Sequence, residues 1–149
     1  FDSQADSQRG IMSLAITVKS PSGVVMGADS RVTLGVQNDV TKETFHVHYD
    51  NATKLLRFNP PHNYVGAVTF GQAVIPPTTR TAESFLPEFE SMLPDHRLSV
   101  ADFAAELAKF YMEQWKGVPL PYTGGPMIFF IAGYDEDAPY STRSSFRKR

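Results

Sequence analysis

The sequence predicts an α+β fold in which helices pack on antiparallel sheet. Three observations carry this: short β-rich runs bounded by turn residues lie between Ser13 and Phe70, two segments of helical period follow, and one more apolar run comes after them. The length of 149 residues fits one domain, and 42% apolar with 20% charged residues is enough to build a core. A net charge of −2 argues against a protein that works by neutralising phosphates or coating an anionic membrane. With no cysteine, disulfide scaffolds, zinc ribbons and thiol nucleophiles are excluded. The longest apolar stretch, around Pro126 to Ala132, is too short to span a bilayer. The expectation is a single cytoplasmic domain.

Residues 1–12 are polar up to Gly10 and read as a leader, a propeptide or a remnant, with Met12-Ser13 resembling a natural start. Leu14, Ile16 and Val18 then alternate with Ala15, Thr17 and Lys19 as a strand. Ser20-Pro21-Ser22-Gly23 is a turn, and Val24 to Asp29 returns, so residues 13–29 form a hairpin. Residues 37–52 are a polar insertion, an exposed hairpin or loop. Lys54 to Phe58 and Tyr64 to Phe70, joined through Asn59-Pro60-Pro61-His62-Asn63, make a second antiparallel pair.

Phe85, Leu86, Phe89, Met92 and Leu93 fall at helical spacing, with Pro87 marking a start or a kink. A second helix begins at the N-cap Ser99, with Asp102 three residues on. Its apolar face is Val100, Phe103, Ala104, Leu107, Phe110 and Tyr111, and Gly117 stops it. Met127 to Ala132 reads as a buried strand. Residues 140–149 are a basic polar tail carrying Arg143, Arg147, Lys148 and Arg149, and nothing in them is expected to complete a sheet. On an acidic chain that tail reads as a solvated end and not as a nucleic-acid arm. His46 and His48 put two imidazoles on one strand face, too few for a metal site on their own.

Four segments in order carry a resemblance. Ser13 to Gly35, with its Gly-Ala-Asp29-Ser-Arg, resembles the opening of proteasome subunits and of the bacterial HslV-type peptidases. Thr53-Lys54-Leu55 resembles that family's lysine-bearing strand, and Tyr64-Val-Gly-Ala-Val-Thr-Phe-Gly71 the strand whose last glycine borders the active site. Pro121 to Asp135 resembles the strand after the second helix. The likeness covers residues 13–139. It implies an N-terminal nucleophile (Ntn) hydrolase with a four-layer αββα sandwich, acting as a threonine-type peptidase subunit without cofactor or metal. It further implies homo-oligomeric rings around a chamber, peptide or unfolded protein as substrate, and an ATP-dependent unfoldase as partner.

In that chemistry the first residue's hydroxyl attacks and its own α-amine, with an ordinary pKa of about 7.7–8.0, accepts the proton. A lysine makes the hydroxyl easier to ionise, an aspartate holds the lysine, and a glycine N–H stabilises the oxyanion. The resemblance places these roles on Ser13, Lys54, Asp29 and Gly71. Asp29 follows Ser13 by sixteen positions, as in the family, and Lys54 falls into place once the 37–52 insertion is allowed for. Three departures stand beside this. Serine replaces threonine, residues 1–12 precede the nucleophile with Met12 where precursors usually have glycine, and no Gly-Ser or Ser-Gly pair follows Asp135. The last reads as an incomplete chain or a degenerate site. The alternatives are a catalytically silent, α-type-like structural ring subunit and, more remotely, a non-peptidase Ntn amidase. Without the resemblance, Ser13 is an ordinary strand-start serine, Asp29-Ser30-Arg31 a turn with a surface ion pair, and Lys54 an edge lysine.

Overall fold

A computed structural model describes residues 13–20, 23–38, 40–122, 124–136 and 141–147. The fold is α+β, with three small antiparallel sheets and two α-helices among the described residues. Strands β1 (Ala15–Ser20) and β2 (Gly23–Ala28) form the first hairpin, in register Ala15 to Ala28 through Ser20 to Gly23. Strands β3 (Val32–Gln37) and β4 (Thr44–Tyr49) form the second. The polar insertion is therefore a hairpin that starts earlier than its composition indicates, at Val32. Every residue of β4 is exposed.

The main sheet has the order β5-β6-β7-β8, built from β5 (Leu55–Arg57), β6 (Val65–Gly71), β7 (Met127–Tyr134) and β8 (Ser141–Arg147). Here the expectation for the basic tail is corrected. Residues 141–147 pair along β7, from Tyr134 with Ser141 to Ile128 with Arg147. A strand at the end of the described sheet satisfies its backbone from one neighbour, and a polar sequence with little apolar alternation gives no signal of that pairing. Positions 140, 148 and 149 lie outside the described residues.

Between β6 and β7 the chain makes a 3₁₀ turn (Glu83–Phe85), then α1 (Leu86–Met92) and α2 (Val100–Trp115). Pro87 sits in the first turn of α1, where its missing N–H costs nothing. Ser99 caps α2 as its spacing predicts, its hydroxyl accepting from Asp102 N–H at 3.0 Å. A second cap comes from the residue that follows β7, where Asp135 Oδ1 accepts from Val100 N–H at 2.6 Å. The face Val100, Phe103, Ala104, Leu107, Phe110 and Tyr111 is wholly buried, and Trp115 extends it.

Alternation along the central strands separates two faces. Val65 and Ala67 of β6, with Met127, Phe129 and Ile131 of β7, join the helices in one core. The Tyr111 ring lies 4.6 Å from Phe129, centroid to centroid, and its buried hydroxyl donates to Ala82 C=O at 2.6 Å. The other face receives the β1–β2 hairpin: a Cβ on Gly66 would stand only 3.2 Å from Met26 Sδ. Phe70 stacks on Phe130 on this side. The described layers thus run helices, sheet, hairpin, and the hairpin's outward residues Leu14, Ile16, Val18 and Val25 are all exposed.

Candidate functional site

Ser13, Asp29 and Lys54 are far apart in sequence and meet at one end of the layers. The β1–β2 pairing sets Leu14 opposite Asp29, whose N–H donates to Leu14 C=O at 3.1 Å. Lys54 arrives on the lead into β5. Its carbonyl accepts from Thr69 N–H of β6 at 2.9 Å, and Ala52 N–H donates to Ser30 C=O at 2.9 Å, which ties this segment to the end of β2.

Lys54 is 7% exposed, unusual for a lysine, and its Nζ has two partners. It donates to Asp29 Oδ2 at 2.8 Å and to Ser13 Oγ at 3.3 Å. The Asp29 carboxylate is held on both oxygens, Oδ1 by Leu14 N–H at 2.8 Å and Oδ2 also by Arg31 N–H at 3.1 Å. Partial burial works to raise the Asp29 pKa, but the hydrogen bonds from Lys54, Leu14 and Arg31 outweigh it and hold the carboxyl below its ordinary value. An ionised aspartate thus keeps a buried ammonium against a serine hydroxyl. The Arg31 side chain is not part of this group: it pairs with Asp50 on the surface at 2.5 Å.

Gly71 shares a cavity with Lys54, while Ser13 and Asp29 lie outside its lining. It closes β6 opposite Met127 with φ of +85°, a conformation that favours glycine, and a Cβ there would run into the Pro126 carbonyl oxygen. The next residue, Gln72, donates its N–H to that carbonyl at 3.0 Å. Lys54, Thr69 and Gly71 line a cavity of about 20 Å³ with Val32, Thr81 and Ala82. That volume holds one water.

Thr69 is the residue that the sequence reading missed. It is buried, and among the described residues its hydroxyl has no hydrogen-bond partner. The signal lay in β6 itself, where Thr69 is the one polar side chain in an apolar strand, on the same face as Val65 and Ala67. His46 and His48 share the polar face of the β3–β4 hairpin, His48 Nδ1 lying 2.9 Å from Thr33 Oγ1. Among the described residues no three His, Cys, Asp or Glu side chains gather to hold a metal. No helix among them is long and apolar enough to cross a membrane.

Comparison with protein-family models, with curated proteins and with solved structures found no match for this chain.

Proposed function

We propose that this chain is a proteasome-like, N-terminal nucleophile peptidase subunit that cleaves peptide bonds through Ser13. The observation that carries the reading is the buried Lys54 ammonium held between Asp29 and the Ser13 hydroxyl. A lysine this buried needs a matched charge, and such a pair set against a hydroxyl supports a functional site. The resemblance assigns the same three positions, and Gly71 beside them, to catalysis.

The reaction begins on a chain whose first residue is Ser13. Its α-amine takes the hydroxyl proton as Oγ attacks the scissile carbonyl carbon, and Lys54 lowers the cost of negative charge on that oxygen. Asp29 keeps Lys54 charged and aimed. The carbonyl oxygen becomes an oxyanion, for which the Gly71 N–H is the assigned donor. Collapse expels the leaving amine with the proton from the α-amine and leaves an ester on Ser13. Water adds to that ester, the α-amine again taking the proton, and Ser13 is regenerated with release of the acid. While residues 1–12 remain attached the Ser13 nitrogen is an amide and cannot be the base, so the active form requires their removal.

The four-layer sandwich, the ring and an ATP-dependent unfoldase belong to the same proposal. The exposed apolar row Leu14, Ile16, Val18 and Val25 on the hairpin's outer face supports a further covering layer. The α-type-like structural reading rests on the residues preceding Ser13. Intact mass and peptide hydrolysis decide between the two. A chain beginning at Ser13 that hydrolyses small peptides, with Ser13→Ala inactive, supports the enzyme. A chain that keeps residues 1–12 in the cell and hydrolyses nothing supports the structural subunit.

A further inference from the structure

The turn between β5 and β6 is fastened to the helical layer by hydrogen bonds from Asn59 and Tyr64 and, between them, by one buried imidazole. His62 is 3% exposed, although it sits within Asn59-Pro60-Pro61-His62-Asn63. Its ring packs between Phe103 of α2 and Tyr64, at centroid distances of 5.5 and 6.2 Å. The His96 backbone favours a proton on one ring nitrogen. The other, Nε2, is sealed from water and has no partner among the described residues.

A neutral imidazole accepts these surroundings, because a bare lone pair at Nε2 needs no partner as badly as a charge does. An imidazolium carries an N–H on both nitrogens, and the second would point where no acceptor stands. The neighbouring charges do little to rescue it. His96, on the connection between the helices, opposes the charge, while Glu90 of α1 favours it. Glu90, however, has one oxygen on Asn59 N–H at 2.6 Å and the other on Asn59 Nδ2 at 2.8 Å. Tyr64 donates its hydroxyl to Leu98 C=O, and its ring carries the Arg97 guanidinium at 3.8 Å. Asp102 of α2 and Asp135 after β7 act on Tyr64 from further round the same corner. Burial accordingly sets the His62 pKa below its ordinary 6.5.

We propose that His62 is an acid-release latch: neutral, it clamps the 59–64 turn against the 93–99 connection, and its protonation frees the turn and loosens the β5–β6 hairpin. That hairpin carries Lys54 at its entry and Gly71 at its exit, so the latch sits on the same element as the candidate site but at its far end. The latch does not depend on the catalytic reading, since it is read out in stability and exchange alone. The stabilisation is complete above pH 6.5, where the imidazole is neutral folded and unfolded, and is lost as pH falls from 6.5 toward the folded pKa.

The test is a histidine-ring NMR titration of the whole chain, with amide exchange corrected for its intrinsic pH dependence. The His62 ring should titrate below 6.5. The N–H groups of His62 and Val65, which bond to Asn59 C=O and His62 C=O, should lose protection severalfold, by up to about eightfold, between pH 7 and pH 5.5. In His62→Phe and His62→Gln the unfolding constant should lack a component that rises by up to tenfold per pH unit in wild type. A His62 ring titrating at or above 6.5 in the folded chain overturns the latch, as does a folded variant with the wild-type pH profile. Should neither variant fold, the wild-type titration and exchange decide it.

Discussion

Lys54 is the residue on which the candidate site turns. Its ammonium is buried, and replacing it by methionine keeps much of the volume while stripping Asp29 and Ser13 of their shared partner. We expect Lys54→Met to lower Ser13-dependent peptide hydrolysis by at least about a hundredfold. Loss of this charged hydrogen bond should cost roughly 1.5–3 kcal/mol in urea unfolding. Asp29 gives a pH signature of the opposite kind from a raised base. Its folded pKa lies below the ordinary 3.8, so its contribution is complete above that value and disappears as pH falls through 3.8 toward the folded pKa. Acid unfolding curves of wild type and Asp29→Asn should therefore converge below about pH 3.8 and separate above it. These residues were legible because their types and spacing matched a known pattern. Thr69 was not, because a single threonine in a strand announces nothing until the cavity beside Lys54 is seen.

The strands and helices show which patterns survive from sequence to structure. Helix α2 was readable throughout, its cap from Ser99 and Asp102 and its face from period 3.6, since its burial is one-sided and regular. Replacing Ser99 by alanine should cost about 1 kcal/mol in thermal or urea unfolding, with Asp135 still holding Val100 N–H. Strand β7 was readable as a continuous apolar run because one face is buried under the helices and the other carries half-buried Ile128 and Phe130, the latter stacked on Phe70. Strand β8 was not readable: residues 141–147 pair with β7 through their backbone, and their polar sequence carries no apolar run or alternation to announce it. The exit of β6 holds a second dependence on backbone geometry. Gly71→Ala must place a Cβ against the Pro126 carbonyl at φ of +85°, so we expect a loss of roughly 1–3 kcal/mol and a distorted candidate oxyanion position, measured as lower kcat with little change in KM.

At the scale of the molecule, the layers explain why three residues drawn from 41 positions of sequence converge. The β1–β2 hairpin lies on the sheet face opposite the helices, which brings its open end, with Ser13 and Asp29, to the edge where Lys54 enters β5 and Gly71 leaves β6. The hydrophobic alternation of β1 made the hairpin evident but not its placement, because Leu14, Ile16 and Val18 face outward and Ala15 and Thr17 inward. Period two states that two faces differ and leaves open which is covered.

The account is tested most directly by intact-mass analysis of a chain whose first residue is Ser13, incubated with an activated peptide ester or a peptide electrophile. The account predicts a single acyl adduct mapped to Ser13, its formation slowed at least about a hundredfold in Lys54→Met and absent in Ser13→Ala. Adduct formation that persists undiminished in Ser13→Ala, or a free Ser13 that never becomes acylated, would contradict it.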